Sequence, residues 1–179
     1  MRGETGAMNA ARALFGLAFA AGLLAAWPAR GEPPVDRATL PSMAQSEAFT
    51  QCLDEQKPSR IACLGRIQRA CLNADDAAAT TYGAVLCAER ERTLWARWGE
   101  AAAQALRADP DRRAFLKKAE TAWATYRDAE CAYEASIYLG GSLAKVVSAD
   151  CRLRLTATHA IDLNREYYRT THEGADEPG

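Results

Sequence analysis

The sequence predicts an all-α protein, a disulfide-stapled helical bundle of about four to five helices. Three observations lead there. Apolar residues recur at steps of three and four along two long segments, as they do on one face of a helix. No stretch of useful length alternates apolar and polar residues as a half-buried strand does. Six cysteines (Cys52, Cys63, Cys71, Cys87, Cys131 and Cys151) all follow an apolar leader-like segment. An even count in that setting points to three disulfides made in an oxidising compartment. Zinc binding is the competing use of cysteine, but the chain has no C-x-x-C pair and only His159 and His172. Neither a metal nor a cofactor is expected.

The leader comes first. Arg2 and Arg12 precede the uncharged run Ala13–Ala26, and small residues at Ala29 and Gly31 suit cleavage before Glu32. That is the pattern of a signal peptide over 1–31, too short for a spanning helix of about 20 apolar residues. Met8 is an alternative start. The apolar run does not end in a cysteine, so lipid attachment there is not expected. Cleavage leaves a soluble periplasmic or secreted chain with no stable membrane insertion. It also removes three bases (Arg2, Arg12, Arg30) and one acid (Glu4), taking the net charge from −1 to −3. A balance of that kind argues against a nucleic-acid partner.

Residues 32–45 carry three prolines and read as an extended arm, with the helical domain over 46–170 and a flexible polar tail over 171–179. Ser46 is placed to cap a first short helix that ends near Gln56, and Ser59 a second that ends near Asn73. A long helix follows from about Tyr82 to Ala108. Asp109-Pro110 then gives a capping aspartate directly before a proline at the first helical position. From there to Leu139 an apolar stripe runs through Leu116, Ala119, Trp123, Tyr126, Tyr133 and Ile137, with Glu130 in the remaining place. Gly140-Gly141 ends that helix. Ser148 is placed to cap the last helix, whose stripe is Leu153, Thr156, Ala160, Leu163 and Tyr167.

Candidate chemistry is sparse. Arg127 and Asp128 are either an exposed recognition patch or a buried ion pair, with Arg127 reaching Glu91 or Asp162 on a neighbouring helix. Gly140, Gly141 and Ser142 form either a partner-contacting loop or a simple turn. No phosphate-binding glycine motif accompanies them. Trp95 and Trp98, three apart, suggest one ring in the core and one toward a groove or partner. The carboxylate pairs Asp75/Asp76, Glu89/Glu91 and Asp128/Glu130 suit a solvated face. No nucleophile motif surrounds His159, and no catalytic residue is assigned.

The string Trp123-x-x-Tyr126-Arg127-Asp128-x-x-Cys131, then Gly140-Gly141-Ser142, Cys151, Thr156 and Leu163, resembles the LprI-type lysozyme-inhibitor family of secreted bacterial helical domains. Cys63-Leu-Gly65, Cys71, Cys87, Glu91 and Trp95 resemble its six-cysteine branch. The chain departs from the family pattern in having Ala119-Glu120 for Ala-Gln, Trp95-Ala for Trp-Asp, and His159 for an arginine. The resemblance implies a periplasmic protein, not an enzyme, that binds and blocks a peptidoglycan-cleaving lysozyme. Arg127, Asp128, Gly140, Gly141 and Ser142 are then candidates for the partner-binding face. The alternative is an envelope interaction module with a different protein partner.

Six cysteines allow fifteen pairings. Cys131 with Cys151 is the pairing the family pattern suggests. It would require the Gly140–Ser148 segment to fold back along the preceding helix, a reach that nine residues can span. Cys52 with Cys63 and Cys71 with Cys87 is the preferred remainder.

Overall fold

A computed structural model describes residues 37–172, apart from 58 and 75. The leader, most of the arm and the tail beyond His172 lie outside the described residues, as do the cleavage site and Met8. Among the described residues there are five α-helices and no strand. They are α1 (Met43–Glu55), α2 (Arg66–Ala74), α3 (Thr81–Leu106), α4 (Pro110–Ser136) and α5 (Ser142–His172). Short 3-10 turns at Arg37–Thr39, Arg60–Cys63 and Asp76–Ala79 connect or precede them.

Helix starts follow their caps. The Asp109 side chain accepts from the backbone N–H of Asp111 and Arg112, with Pro110 at the first position of α4 as expected. Thr80 caps α3 by accepting from Gly83 N at 3.0 Å. At α1 the cap is Ser42, not Ser46. Ser42 and Gln45 form a reciprocal capping box, and Ser46 lies inside the helix with its hydroxyl donating to Ser42 O. Ser59 makes no side-chain cap either, because Gly65, at φ +79°, breaks the expected second helix into a 3-10 turn and α2.

The N-terminus of α2 is capped by another helix. Glu91 of α3 is fully buried, and its carboxylate accepts from Gly65 N (2.7 Å), Gln68 N (2.8 Å) and Trp95 Nε1 (3.1 Å). Two of these donors are the unsatisfied amides that every helix leaves at its first turn, and the helix dipole favours a negative charge there. Glu91 therefore does not belong to a solvated pair with Glu89, which instead holds Arg92. The core builds outward from this point. Phe49 of α1 meets the Trp95 ring edge-on at 4.9 Å, and Trp98 meets the same ring at 71° and 5.7 Å. Trp98 is half-buried and carries the Arg60 guanidinium over its ring.

Helix α5 packs most extensively on α3, with α4 laid against α5 and touching α3 little. Small residues permit the close α3–α5 approach. A Cβ added at Gly99 would stand 2.9 Å from the Ala160 Cβ and 3.0 Å from its Cα. Three disulfides, Cys52–Cys63, Cys71–Cys87 and Cys131–Cys151, staple α1 to the 3-10 turn after it, α2 to α3, and α4 to α5.

Glu91→Gln should destabilise the protein by roughly 2–4 kcal/mol, because the new amide nitrogen must face a backbone N–H where a charged acceptor stood. The shift in urea midpoint at constant slope measures it. An unchanged midpoint would show that the buried cap is dispensable.

Candidate functional site

The far end of the α4–α5 hairpin gathers three of the five residues singled out as a partner-binding face. Gly140, Gly141 and Ser142 are all exposed there. The turn is shorter than expected. Helix α5 begins at Ser142, so Ser148 is well inside it and Cys151 sits more than two turns from its start. The hairpin closes through Tyr138, Leu139 and Gly141, whose amides donate to Ala135 O, Ser136 O and Tyr138 O at 2.9–3.1 Å. No extended segment folds back along α4. Two antiparallel helices bring Cys131 and Cys151 together, with Cα atoms 5.4 Å apart.

Leu139 is the unusual residue at this tip. It is 95% exposed and holds a left-handed φ of +50°, immediately before Gly140 at φ +76°. Glycine adopts that conformation freely, whereas leucine in it costs roughly 1–2 kcal/mol. Ile137 and Leu143 are exposed beside it. On the flank, Gly140, Ala144, Lys145, Ser148 and Arg152 face Glu89 across a shallow hollow of about 340 Å³.

Arg127 and Asp128 are not at the tip. They lie eight and nine residues before the end of α4 at Ser136, about 12–14 Å back at 1.5 Å per residue. Arg127 is only 7% exposed and reaches neither Glu91 nor Asp162. Its guanidinium donates to Asp128 Oδ1 at 3.2 Å and lies over the Trp123 ring, 5.0 Å from its centroid. Half-exposed Asp128 also takes Arg152 at 3.6 Å, which links this pair to the hollow beside the tip. Trp123 stacks on His159 of α5, with centroids 4.0 Å apart and planes at 11°. Glu134–Arg154 and Glu166–Arg112 are further ion pairs between α4 and α5.

The expected apolar stripe of α4 is split between two faces. Leu116 and Trp123 turn inward with Glu120, Arg127 and Cys131, while Tyr126, Tyr133 and Ile137 are exposed. Leu139, Leu143 and Lys145 escaped the sequence reading. The signal available was a leucine directly preceding a double glycine, where an apolar side chain has no helix face left to join.

Residues 71–163 match the family described as "Lysozyme inhibitor LprI", just over half of the 179-residue chain. The chain belongs to the LprI family. The match contains α3, α4, the tip and the Trp123–His159 stack, and it leaves α1 and the amides that Glu91 caps outside. No curated protein and no solved structure matches the chain.

Burial holds the His159 pKa below its ordinary 6.5, opposed by Glu120 and Asp162 and reinforced by Arg127. The folded state thus prefers the neutral ring. The associated stability is fully present above 6.5 and is lost as pH falls through the lowered folded value. Glu100 and Glu166 lie below 4.5 because Arg107 and Arg112 donate to them, so their contribution disappears only in a more acidic range. The melting temperature should therefore fall between neutral pH and about pH 5, and His159→Phe, which keeps a flat ring on Trp123, should flatten that fall. Equal pH dependence in parent and variant would remove His159 as its source.

Proposed function

We propose that this chain is a secreted periplasmic inhibitor that binds a peptidoglycan-cleaving lysozyme and occludes its substrate cleft with the α4–α5 tip. Leu139 is the observation that carries this reading. A fully exposed leucine in a left-handed backbone is expensive for the free protein, and such outliers cluster where a surface serves a partner. The Cys131–Cys151 staple ties the two helices that present the tip, which lowers the ordering cost of association. Membership of the family described as "Lysozyme inhibitor LprI" supports this partner class and a binding rather than a catalytic role.

Charge supports the same orientation. A glycosidase cleft holds two carboxyl groups, and Lys145 and Arg152 flank the tip. Arg127 and Asp128 act here as positioning residues that fix Arg152 and the helix pair. Gly140, Gly141 and Ser142 shape the turn that presents Leu139. Three disulfides and the leader pattern over 1–31 suit export to an oxidising compartment.

Titrating the oxidised protein into lysozyme acting on bacterial cell walls should give saturable inhibition near one equivalent. Leu139→Asn, which tolerates the left-handed backbone, should raise the melting temperature while weakening inhibition about tenfold or more. Full activity of lysozymes of several types at micromolar excess would overturn the inhibitor reading. Undiminished inhibition by Leu139→Asn would move the contact away from the tip.

A further inference from the structure

Six residues on the outer face of α4, with Ile137 just past its end, repeat at near coiled-coil spacing and cover nothing. Phe115, Ala119, Ala122, Tyr126, Ala129, Tyr133 and Ile137 follow one another at steps of 4, 3, 4, 3, 4 and 4, and every one is exposed. Phe115 and Tyr133 are each 73% exposed and Ile137 is 71%. At 1.5 Å per residue the row is about 33 Å long. Scattered apolar residues on a surface are ordinary, but a continuous row in the register of a coiled-coil seam marks an interface.

We propose that this face pairs with the same face of a second copy of the chain, the two α4 helices running antiparallel about a two-fold axis near Tyr126. A two-fold contact must be complementary to itself, and this row meets that condition in shape. Centred on Tyr126, the pairing sets Phe115 beside Ile137 of the second copy, Ala119 beside its Tyr133, and the two Tyr126 rings side by side at the axis. Ala122 and Ala129 meet near the middle, where small residues let the helices approach closely. A cleft of about 330 Å³ adjoins Phe115 and Ala119, lined also by Leu106 and Leu116. It lies where Ile137 of the second copy arrives.

Charge selects the same direction. The first half of α4 carries Arg112, Arg113, Lys117 and Lys118 against Asp111 and Glu120, and the second half carries Asp128, Glu130 and Glu134 against Arg127, so the halves differ in net sign even though Arg112 and Glu134 also pair with α5. Antiparallel helices set the basic half of each against the acidic half of the other, whereas parallel helices set like against like. One helix face of this length lies at the small end of specific interfaces, so the dimer is weak and concentration-dependent. Leu139 itself lies two residues beyond the row.

Sedimentation velocity on the oxidised chain, from micromolar to millimolar, tests the pairing. The expected result is a reversible shift from monomer to dimer that rising salt weakens. Ala122→Glu changes an exposed helical position and should leave the circular dichroism and melting temperature intact while holding the protein monomeric. Lys117→Glu with Lys118→Glu should also abolish the dimer if the helices are antiparallel, and should leave it unchanged or stronger if they are parallel. A monomer at every concentration, or a dimer indifferent to Ala122→Glu, would overturn the proposal. Loss of lysozyme inhibition by a monomeric Ala122→Glu chain would assign the face to the enzyme instead. That result is distinct from failure of the tip, which Leu139→Asn reports.

Discussion

One buried carboxylate sets the geometry of the N-terminal half of this bundle. Glu91 collects the first amides of α2 and the indole of Trp95 around a single charge. A carboxylate buried this completely is tolerable only when its donors are fixed, so α2, the Gly65 turn and α3 must keep their mutual positions. At nine residues α2 is too short to be stable as an isolated helix. The cap at one end and the Cys71–Cys87 bridge to α3 make it persist. Trp95, oriented by the same carboxylate, is in turn the ring that Phe49 of α1 meets edge-on.

The second half is organised differently. Helix α4 buries only Arg127 and Cys131, and it is held to α5 by a disulfide, a ring stack and ion pairs more than by apolar packing. Attachments of that kind are directional and local. They fix where α4 lies while leaving its apolar residues unburied, which is why one helix can carry both a structural inner face and an unpartnered outer one. The strained Leu139 sits at the end of this lightly packed arm, where strain costs the core nothing.

The helical class, the Asp109-Pro110 boundary and the long third helix were legible because caps, prolines and periodicity are local signals. The cysteines were legible as a set, and the pairing preferred from the sequence is the one the structure has. The α4 stripe was misread for a physical reason. Two apolar rows share one helix, and a step of three or four from Ala119 leads equally to inward Trp123 or outward Ala122. Only tertiary contact with α5 says which row is buried. Glu91 looked like half of a solvated pair, because nothing in the sequence near it reports that amides 23 and 26 residues away will converge on its oxygens. The start of α5 was placed at Ser148 on a plausible cap. The chain beginning at Ser142 is helix-compatible throughout, so the double glycine alone makes the turn. At the candidate site the sequence located the glycine turn but not Leu139, whose only signal is its place directly before the double glycine.

The bridges also have an order. Cysteines pair first with second, third with fourth and fifth with sixth, at separations of 11, 16 and 20 residues. No bridge encloses or crosses another. A chain oxidised progressively from its N-terminus meets each correct partner before any later cysteine exists to compete. Such a chain reaches its native covalent structure without a wrong bond to undo, so a thiol oxidase suffices and an isomerase has nothing to correct.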